Sequence, residues 1–214
     1  ALTREPDLHL VGVVPRFSDQ GGRVGRPPNL VGRQDALDVV RRAGGDRVSV
    51  FDLENRVGTP VYVHAKVCVV DDVWTSVGSD NLNMRSWTHD SELSCAVLDD
   101  ERDPREPRDP ARLGDGARRF ARNLRLELWR EHLDADSDDD LVDPASGLAR
   151  LRAVASALDA WHDGGRQGPR PPGRLRTHRA DRLPLHTRAW ARPLYHLVVD
   201  PDGRPRDGLR RTWQ

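Results

Sequence analysis

The residues of this sequence that could do chemistry are concentrated between positions 61 and 92. A histidine and a lysine stand two residues apart as His64 and Lys66, and Ser79 and Asn81 occur later with the same separation. An imidazole that titrates near neutrality can act as a nucleophile or as a general acid and base. An ammonium, a hydroxyl and an amide donate hydrogen bonds to an anion. The set predicts a pocket that binds a phosphate and stabilises charge developing on its oxygens.

These residues belong to one longer pattern of fixed spacing. Six identities fit H-x-K-x4-D-x6-G-S-x-N without a departure: His64, Lys66, Asp71, Gly78, Ser79 and Asn81. A lone histidine on a strand is usually an ordinary core or surface residue, but six identities at fixed spacing rarely arise by chance. Lys66 is also the only lysine among 34 lysines and arginines. The chain therefore keeps a compact point charge at the position where a phosphate would need one.

The pattern resembles the HKD signature of the phospholipase D superfamily. Asn83, Arg85, Ser86 and the triplet Asp90, Ser91 and Glu92 are similar to the residues after the second of two such signatures in bacterial and eukaryotic members. The resemblance implies the C-terminal half of a two-motif phospholipase D or cardiolipin synthase-like enzyme, truncated at its N-terminus. In that family one histidine attacks phosphorus, forming a phosphohistidine, and a second histidine protonates the leaving alcohol.

The resemblance also implies a role for each residue. The catalytic residues would be His64, Lys66 and Glu92, with His64 as general acid and base and Glu92 accepting a hydrogen bond from the imidazole to orient it. The substrate phosphate would be bound by Lys66, Ser79 and Asn81. Two residues would be structural: Asp71 would shape a turn, and Gly78, which lacks a Cβ, would let the backbone approach an anion.

The reaction implied is hydrolysis or transphosphatidylation of glycerophospholipids, and it requires no metal or other cofactor. The expected partners are a phospholipid at a membrane surface and a second H-x-K half, supplied by upstream sequence or by a second chain. Two alternatives stay open: an HKD-type nuclease acting as a homodimer, and a non-catalytic module that binds lipid or phosphate. The acidic context around Glu92 favours lipid over nucleic acid.

Composition sets further bounds. The formal net charge is zero, so no global field draws the chain to nucleic acid or to a membrane. No run approaches 18 apolar residues, so no transmembrane helix is predicted, and a cytoplasmic or peripheral membrane location is expected. Cys68 and Cys95 lie in apolar runs and are predicted to be buried free thiols. The acidic run at residues 134–140 lacks the pattern of a calcium loop and is predicted to be solvated.

Hydrophobic periodicity predicts an α/β fold. The resemblance implies a phospholipase D-like layered sheet flanked by helices, and composition predicts an irregular C-terminal tail rich in arginine and proline. The strands are predicted at residues 8–14, 48–53, 61–70, 74–77, 91–98 and 194–199. The helices are predicted at residues 29–43, 115–133 and 146–161, and residues 15–28 are predicted to form a loop. In a buried strand over 61–70, alternation would point His64 and Lys66 to the same side.

Two regions are predicted from these elements. Residues 1–133 would form the phospholipase D-like domain, and residues 134–214 a helical and irregular extension packed on it. Arginines recur between positions 164 and 192 with a single acidic residue among them, Asp181. This stretch is interpreted as a wrap over the domain, or alternatively as a basic strip that contacts anionic lipid or another polyanion.

Overall fold

The computed structural model describes residues 1–17, 25–114, 116–181 and 183–204. It has a mixed α/β architecture of two sheets flanked by helices, which confirms the predicted class. The strands are β1 (Leu10–Val13), β2 (Val48–Glu54), β3 (Pro60–Val61), β4 (Lys66–Val70), β5 (Trp74–Gly78), β6 (Ser94–Leu98) and β7 (Leu175–Thr177). The helices are α1 (Arg26–Gly44), α2 (Met84–Thr88), α3 (Arg119–Leu133), α4 (Pro144–Asp163) and α5 (Leu185–Leu194).

The first sheet is built around β2, whose β-branched and aromatic residues suit a buried strand. β1 pairs with β2 in parallel because α1 carries the chain back across the sheet between them. β3 and β7 both pair with β2 antiparallel. Prolines in the first turn start α1, and Gly45, with a φ of 54°, ends it. β7 brings the C-terminal part of the chain into the same sheet as the N-terminal strands.

The second sheet, β4–β5–β6, is an antiparallel meander. The β4–β5 hairpin turns through three residues between the paired Val70 and Trp74, and Asp71 and Asp72 there have φ angles of 55° and 56°, in the left-handed region that aspartate tolerates. The register then sets Lys66 opposite Gly78, and Gly78 opposite Ser94. Asp71 therefore shapes the turn, and its neighbour Asp72 has a separate task.

Asp72 fastens this hairpin to α3 through a buried ion-pair network. Its carboxylate accepts hydrogen bonds from Arg125 Nε at 2.5 Å and Nη2 at 2.7 Å, and from Arg122 Nε at 3.2 Å. Arg122 is fully buried and also pairs with Asp103, while Arg125 stacks on Trp129. Buried charges persist only when paired in this way, so the network fixes the hairpin to the helix.

The same network bears on which face of α3 is buried. The spacing of apolar residues in the sequence predicts one stripe that packs against the sheet: Ala117, Phe120, Ala121, Leu124 and Leu128. This prediction is partly wrong. Ala117 and Ala121 are buried, but Phe120 is 44% exposed, and the two leucines are only half-buried. The two arginines paired with Asp72 turn the helix to a different face. The helix begins at Arg119 rather than at the predicted position 115, which lies outside the described residues.

The core lies between the first sheet and the helices α3 and α4. Its fully packed members are Phe51, Leu53, Leu126, Leu133, Leu141, Leu151, Ala155 and Leu175. Removing this apolar surface from water supplies the main stabilisation of the fold. The cluster contains residues from both sides of position 133, and the division of the chain there stays a prediction.

The predicted strand over residues 61–70 is wrong in two respects. β3 ends at Val61 and β4 begins at Lys66, with irregular backbone between them, because the chain passes there from the first sheet to the second. Most of this stretch is exposed or half-buried rather than buried. His64 lies in the irregular connection, so strand alternation does not determine its orientation relative to Lys66.

Two further predictions, a C-terminal strand and the burial of the two cysteines, are wrong. Residues predicted as a strand at 194–199 form a helical turn, Tyr195–Val199, that continues α5, since a short apolar run does not distinguish helix from strand. Cys68 and Cys95 are free, as predicted, but both are exposed. They align with the neighbouring β5 residues Ser76 and Val77, and therefore lie on opposite faces of the sheet.

The arginine-rich stretch is held by intramolecular ion pairs. Described arginines of this stretch pair with carboxylates on both sides of position 133: Arg170 with Glu54, Arg188 and Arg192 with Asp35, Arg174 with Asp134, Arg176 with Asp159, and Arg179 with Asp163. This supports the interpretation as a wrap, although the stretch is more regular than predicted, since it contains β7 and α5. Within the described ranges, no helix combines the length and apolar character needed to cross a membrane.

Candidate active site

The motif residues meet at one end of the second sheet. Lys66 begins β4, Gly78 ends β5 and Ser94 begins β6, and the register places these three residues side by side. His64 lies two residues before β4, and Ser79 comes directly after β5. Antiparallel pairing therefore brings the H-x-K and G-S-x-N segments to the same edge, as their chemistry requires.

The H-x-K segment presents its imidazole to solvent. His64 is exposed, and its ring stacks on that of Tyr62 with centroids 5.8 Å apart and planes inclined by 25°. Lys66 Nζ donates a hydrogen bond of 2.9 Å to the His64 backbone carbonyl. This contact holds the ammonium beside the connection that carries the imidazole.

Gly78 is required for a steric reason that the sequence did not reveal. A Cβ at this position would collide with Ser94 Oγ and would lie 2.7 Å from the Leu93 carbonyl oxygen. β6 thus approaches β5 too closely at this point for any side chain on residue 78. The predicted approach of this backbone to an anion stays a prediction, and the close approach of β6 explains the glycine independently.

Glu92 lies at the centre of the polar network of the site. Its two carboxylate oxygens accept hydrogen bonds from Ser79 Oγ at 2.5 Å and from Ser86 Oγ at 2.7 Å. These two bonds, foremost that from Ser79, lower the pKa of Glu92, and the positive charges of Lys66 and Arg85 lower it further. Glu92 is therefore an anion at neutral pH. The structure places it on the two serines, and its predicted bond to the His64 ring stays a prediction.

The Ser79 hydroxyl is already engaged on both sides. It donates its proton to Glu92 and accepts a hydrogen bond of 3.0 Å from the backbone N–H of Leu93. A hydroxyl has only one proton to donate. In this arrangement Ser79 orients Glu92, and its predicted role as a phosphate donor requires it to release that bond.

Asn81 begins a loop that ends in the short helix α2. Asn81 is exposed, and its backbone carbonyl accepts hydrogen bonds from Trp87 Nε1 at 2.9 Å and from the Asn83 N–H at 2.8 Å. The Asn83 side chain caps α2 by accepting from the Ser86 N–H at 2.9 Å. Sequence reasoning named Ser86 without a role, and the structure buries it beneath Glu92. An asparagine three residues before Ser86 is the only local signal for this cap.

The described residues contain no group of three or more histidine, cysteine, aspartate or glutamate side chains that could hold a metal ion. Carboxylates of the acidic run are engaged by arginines: Asp134 by Arg174, Asp138 by Arg105 and Asp140 by Arg150. The positive charge beside the site comes from Lys66 and Arg85, which both act on Glu92. The described part of the site therefore combines an exposed imidazole, an ammonium and an anchored carboxylate at one end of the sheet.

The comparisons with known proteins agree with this geometry. The family model described as phospholipase D matches residues 46–164, which is more than half of the chain and includes the whole site. Phospholipase D zeta 1 of Arabidopsis thaliana is 40% identical over 91 residues, covering 40% of this chain and 8% of that protein. Phospholipase D1 of Mus musculus is 40% identical over 100 residues, covering 43% of this chain and 9% of that protein.

Phospholipase D C of Dictyostelium discoideum is 44% identical over 82 residues, covering 37% of this chain and 5% of that protein. In each case the match spans less than a tenth of the relative. The family-model match runs from residue 46, just before β2, to residue 164, just after α4. On the match to more than half of its length, this chain belongs to the phospholipase D family.

Proposed function

We propose that this chain supplies one half of the catalytic centre of a phospholipase D-type enzyme acting on glycerophospholipids. The observation that carries the proposal is the assembly at one sheet edge of an exposed His64, the Lys66 ammonium and the Glu92 carboxylate held by two serines. Membership of the phospholipase D family supports the same chemistry. Hydrolysis and transphosphatidylation share the first step. They differ in whether water or an alcohol receives the phosphatidyl group in the second step.

The proposed reaction has two displacements at phosphorus. A histidine nitrogen attacks phosphorus, so that a P–N bond forms and the P–O bond to the head-group alcohol breaks. The other histidine gives its proton to the leaving oxygen and then takes a proton from water or from an alcohol. The oxygen of this water or alcohol attacks phosphorus and the P–N bond breaks. The product is phosphatidate when water attacks and a new phosphatidyl ester when an alcohol attacks. His64 is assigned the proton transfers.

The neighbouring residues act on charge and orientation. Lys66 places a positive charge where the phosphoryl oxygens gain negative charge in the transition state. Asn81, exposed at the same edge, offers an amide donor. Glu92 stays ionised and is proposed to orient the His64 imidazole as a hydrogen-bond acceptor. The phosphate-binding roles of Lys66, Ser79 and Asn81 are part of the proposal.

The assay that tests this function uses the complete natural polypeptide. We expect it to release the head-group alcohol from phosphatidylcholine or phosphatidylglycerol vesicles, and to form phosphatidylethanol when ethanol is present. Plasmid DNA incubated in parallel tests the nuclease alternative. Cleavage of DNA without cleavage of either lipid would contradict the proposed substrate class, and binding of vesicles without turnover would indicate the non-catalytic module.

Replacing Glu92 by glutamine tests the orienting role. We expect a loss of rate of about 10–100-fold, typical for a group that orients a working histidine and smaller than the loss from replacing His64. Inhibition by inorganic phosphate should change little, because Glu92 does not touch the substrate. Glu127→Gln, an exposed change on α3, is the matched control.

The pH dependence gives a second readout for Glu92. Because its hydrogen bonds lower the pKa of Glu92, the carboxylate persists as the pH falls and is lost only below its usual titration range. Removing one donor by Ser86→Ala raises that pKa, so the acid limb of the rate profile should move to higher pH. A Glu92→Gln enzyme that matches the wild type across the whole pH profile would rule out the orienting role.

A further inference from the structure

The C-terminal segment after α5 touches the helix that supports the site. Asp200 is buried, and its carboxylate accepts hydrogen bonds from the Met84 N–H at 3.1 Å and from the Arg85 N–H at 2.7 Å. These are backbone donors in the first turn of α2, which have no partner within a helix. With Asn83 bonding the Ser86 N–H, three consecutive amides of this turn are satisfied by side chains. One of the two capping side chains comes from more than 100 residues away in sequence.

Asp200 is itself fixed to the body of the fold. Tyr195 Oη donates a hydrogen bond of 2.8 Å to Asp200 Oδ2, and the Asp200 N–H donates one of 2.7 Å to the Tyr195 carbonyl. Burial, together with the Asp200 carboxylate, raises the pKa of Tyr195, so the phenol stays protonated and donates. The Tyr195 ring fills the space left by Gly32 on α1, where a Cβ would collide with it. Helix α1, Tyr195 and Asp200 therefore form one brace.

A chain of direct hydrogen bonds connects this brace with the candidate site. Asp200 holds the first turn of α2, and α2 carries the buried Ser86. Ser86 Oγ holds one oxygen of Glu92, whose other oxygen is bonded to Ser79 of the G-S-x-N segment. A shift of α2 by a fraction of an ångström would lengthen the Ser86–Glu92 bond of 2.7 Å beyond ordinary hydrogen-bond length.

From these contacts we infer that Asp200 is a positioning residue, which sets the position and orientation of Glu92 through helix α2 and Ser86. The inference rests on the proposed function for its kinetic consequences only. It makes the C-terminal segment part of the support of the site, although its residues are far from the motif in sequence. Asp200 touches no reacting atom, so its replacement should act on orientation and titration rather than on the chemical groups themselves.

Asp200→Ala and Asp202→Ala form a matched pair for the test. Asp202 lies in the same segment. Within the described residues, the hydrogen bonds to its carboxylate come from Arg204, two residues further along the chain. In the complete polypeptide we expect Asp200→Ala to lower kcat by about 10-fold to 100-fold, as a small misplacement of an active-site group does. The acid limb of its rate profile should move to higher pH. Asp202→Ala should match the wild type in both, and Asp200→Asn, which keeps an acceptor oxygen, should recover part of the rate.

Two measurements make the result independent of turnover. Amide hydrogen exchange should become faster at Met84 and Arg85 in Asp200→Ala and stay unchanged in Asp202→Ala. The carboxyl carbon of Glu92, followed by NMR, should titrate at higher pH in Asp200→Ala. If Asp200→Ala does not fold, Tyr195→Phe, which removes only the hydroxyl that braces Asp200, decides by the same readouts with smaller shifts.

The inference is overturned if Glu92 titrates at the same pH in the Asp200 variants, or in Tyr195→Phe, as in the wild type. It is also overturned if the Asp200 and Asp202 variants lose activity equally. If the wild-type protein cleaves no phosphodiester but Asp200→Ala still shifts the titration of Glu92, the inference is supported while the proposed function fails. The two claims can therefore be separated by one set of proteins.

Discussion

Replacing His64 by alanine in the complete polypeptide is expected to lower turnover of phospholipid by about 10²–10⁴-fold, the usual contribution of a general acid and base. His64 carries the only imidazole of the motif and is exposed at the sheet edge, beside the ammonium of Lys66. Removing an exposed side chain leaves no cavity in the core. We therefore expect the melting temperature to change little while the rate collapses.

The measurement compares initial rates and melting curves of His64→Ala and His186→Ala. His186 is an exposed histidine near the start of α5, away from the motif, and it undergoes the same chemical change. His186→Ala should behave as the wild type. A folded His64→Ala enzyme that retains more than a tenth of the wild-type rate would contradict the assignment of His64.

Much of the site could be predicted because its residues are local in sequence. The spacing of Lys66 and Gly78 fits a hairpin, and the structure pairs these two residues across β4 and β5. The placement of His64 on the same strand failed because the chain changes sheets between Val61 and Lys66. Periodicity describes one element at a time and carries no information about which sheet an element joins.

The contacts that fix the site from outside could not be predicted. Arg122 and Arg125 fit exposed positions on α3 by their residue type, and they are buried because Asp72 meets them from 50 or more residues away. Asp200 lies in an apolar and charged tail with no motif, yet it caps α2. Long-range ion pairs and caps depend on the arrangement of elements, which a single sequence does not determine.

The second prediction with a large expected effect is that residues 1–214 as an isolated monomer do not turn over phospholipid. A mechanism with two histidines needs a second H-x-K segment opposite the first. Lys66 is the only lysine of these 214 residues, so they contain no second H-x-K segment in any fold. The missing half must come from other sequence of the same polypeptide, as the similarity after Asn81 to a second motif suggests, or from another copy of the chain.

The test is to purify residues 1–214, establish the oligomeric state by light scattering and assay phospholipid hydrolysis across a dilution series. We expect a folded protein with no rate above the background of His64→Ala, because His64 is assigned the proton transfers and no second motif histidine is present to attack phosphorus. Activity that falls with dilution as a dimer dissociates would place the second H-x-K segment on another copy of the chain. A folded monomer whose specific activity equals that of the complete polypeptide and stays constant on dilution would show that one H-x-K segment suffices, and would refute the two-histidine mechanism for this protein.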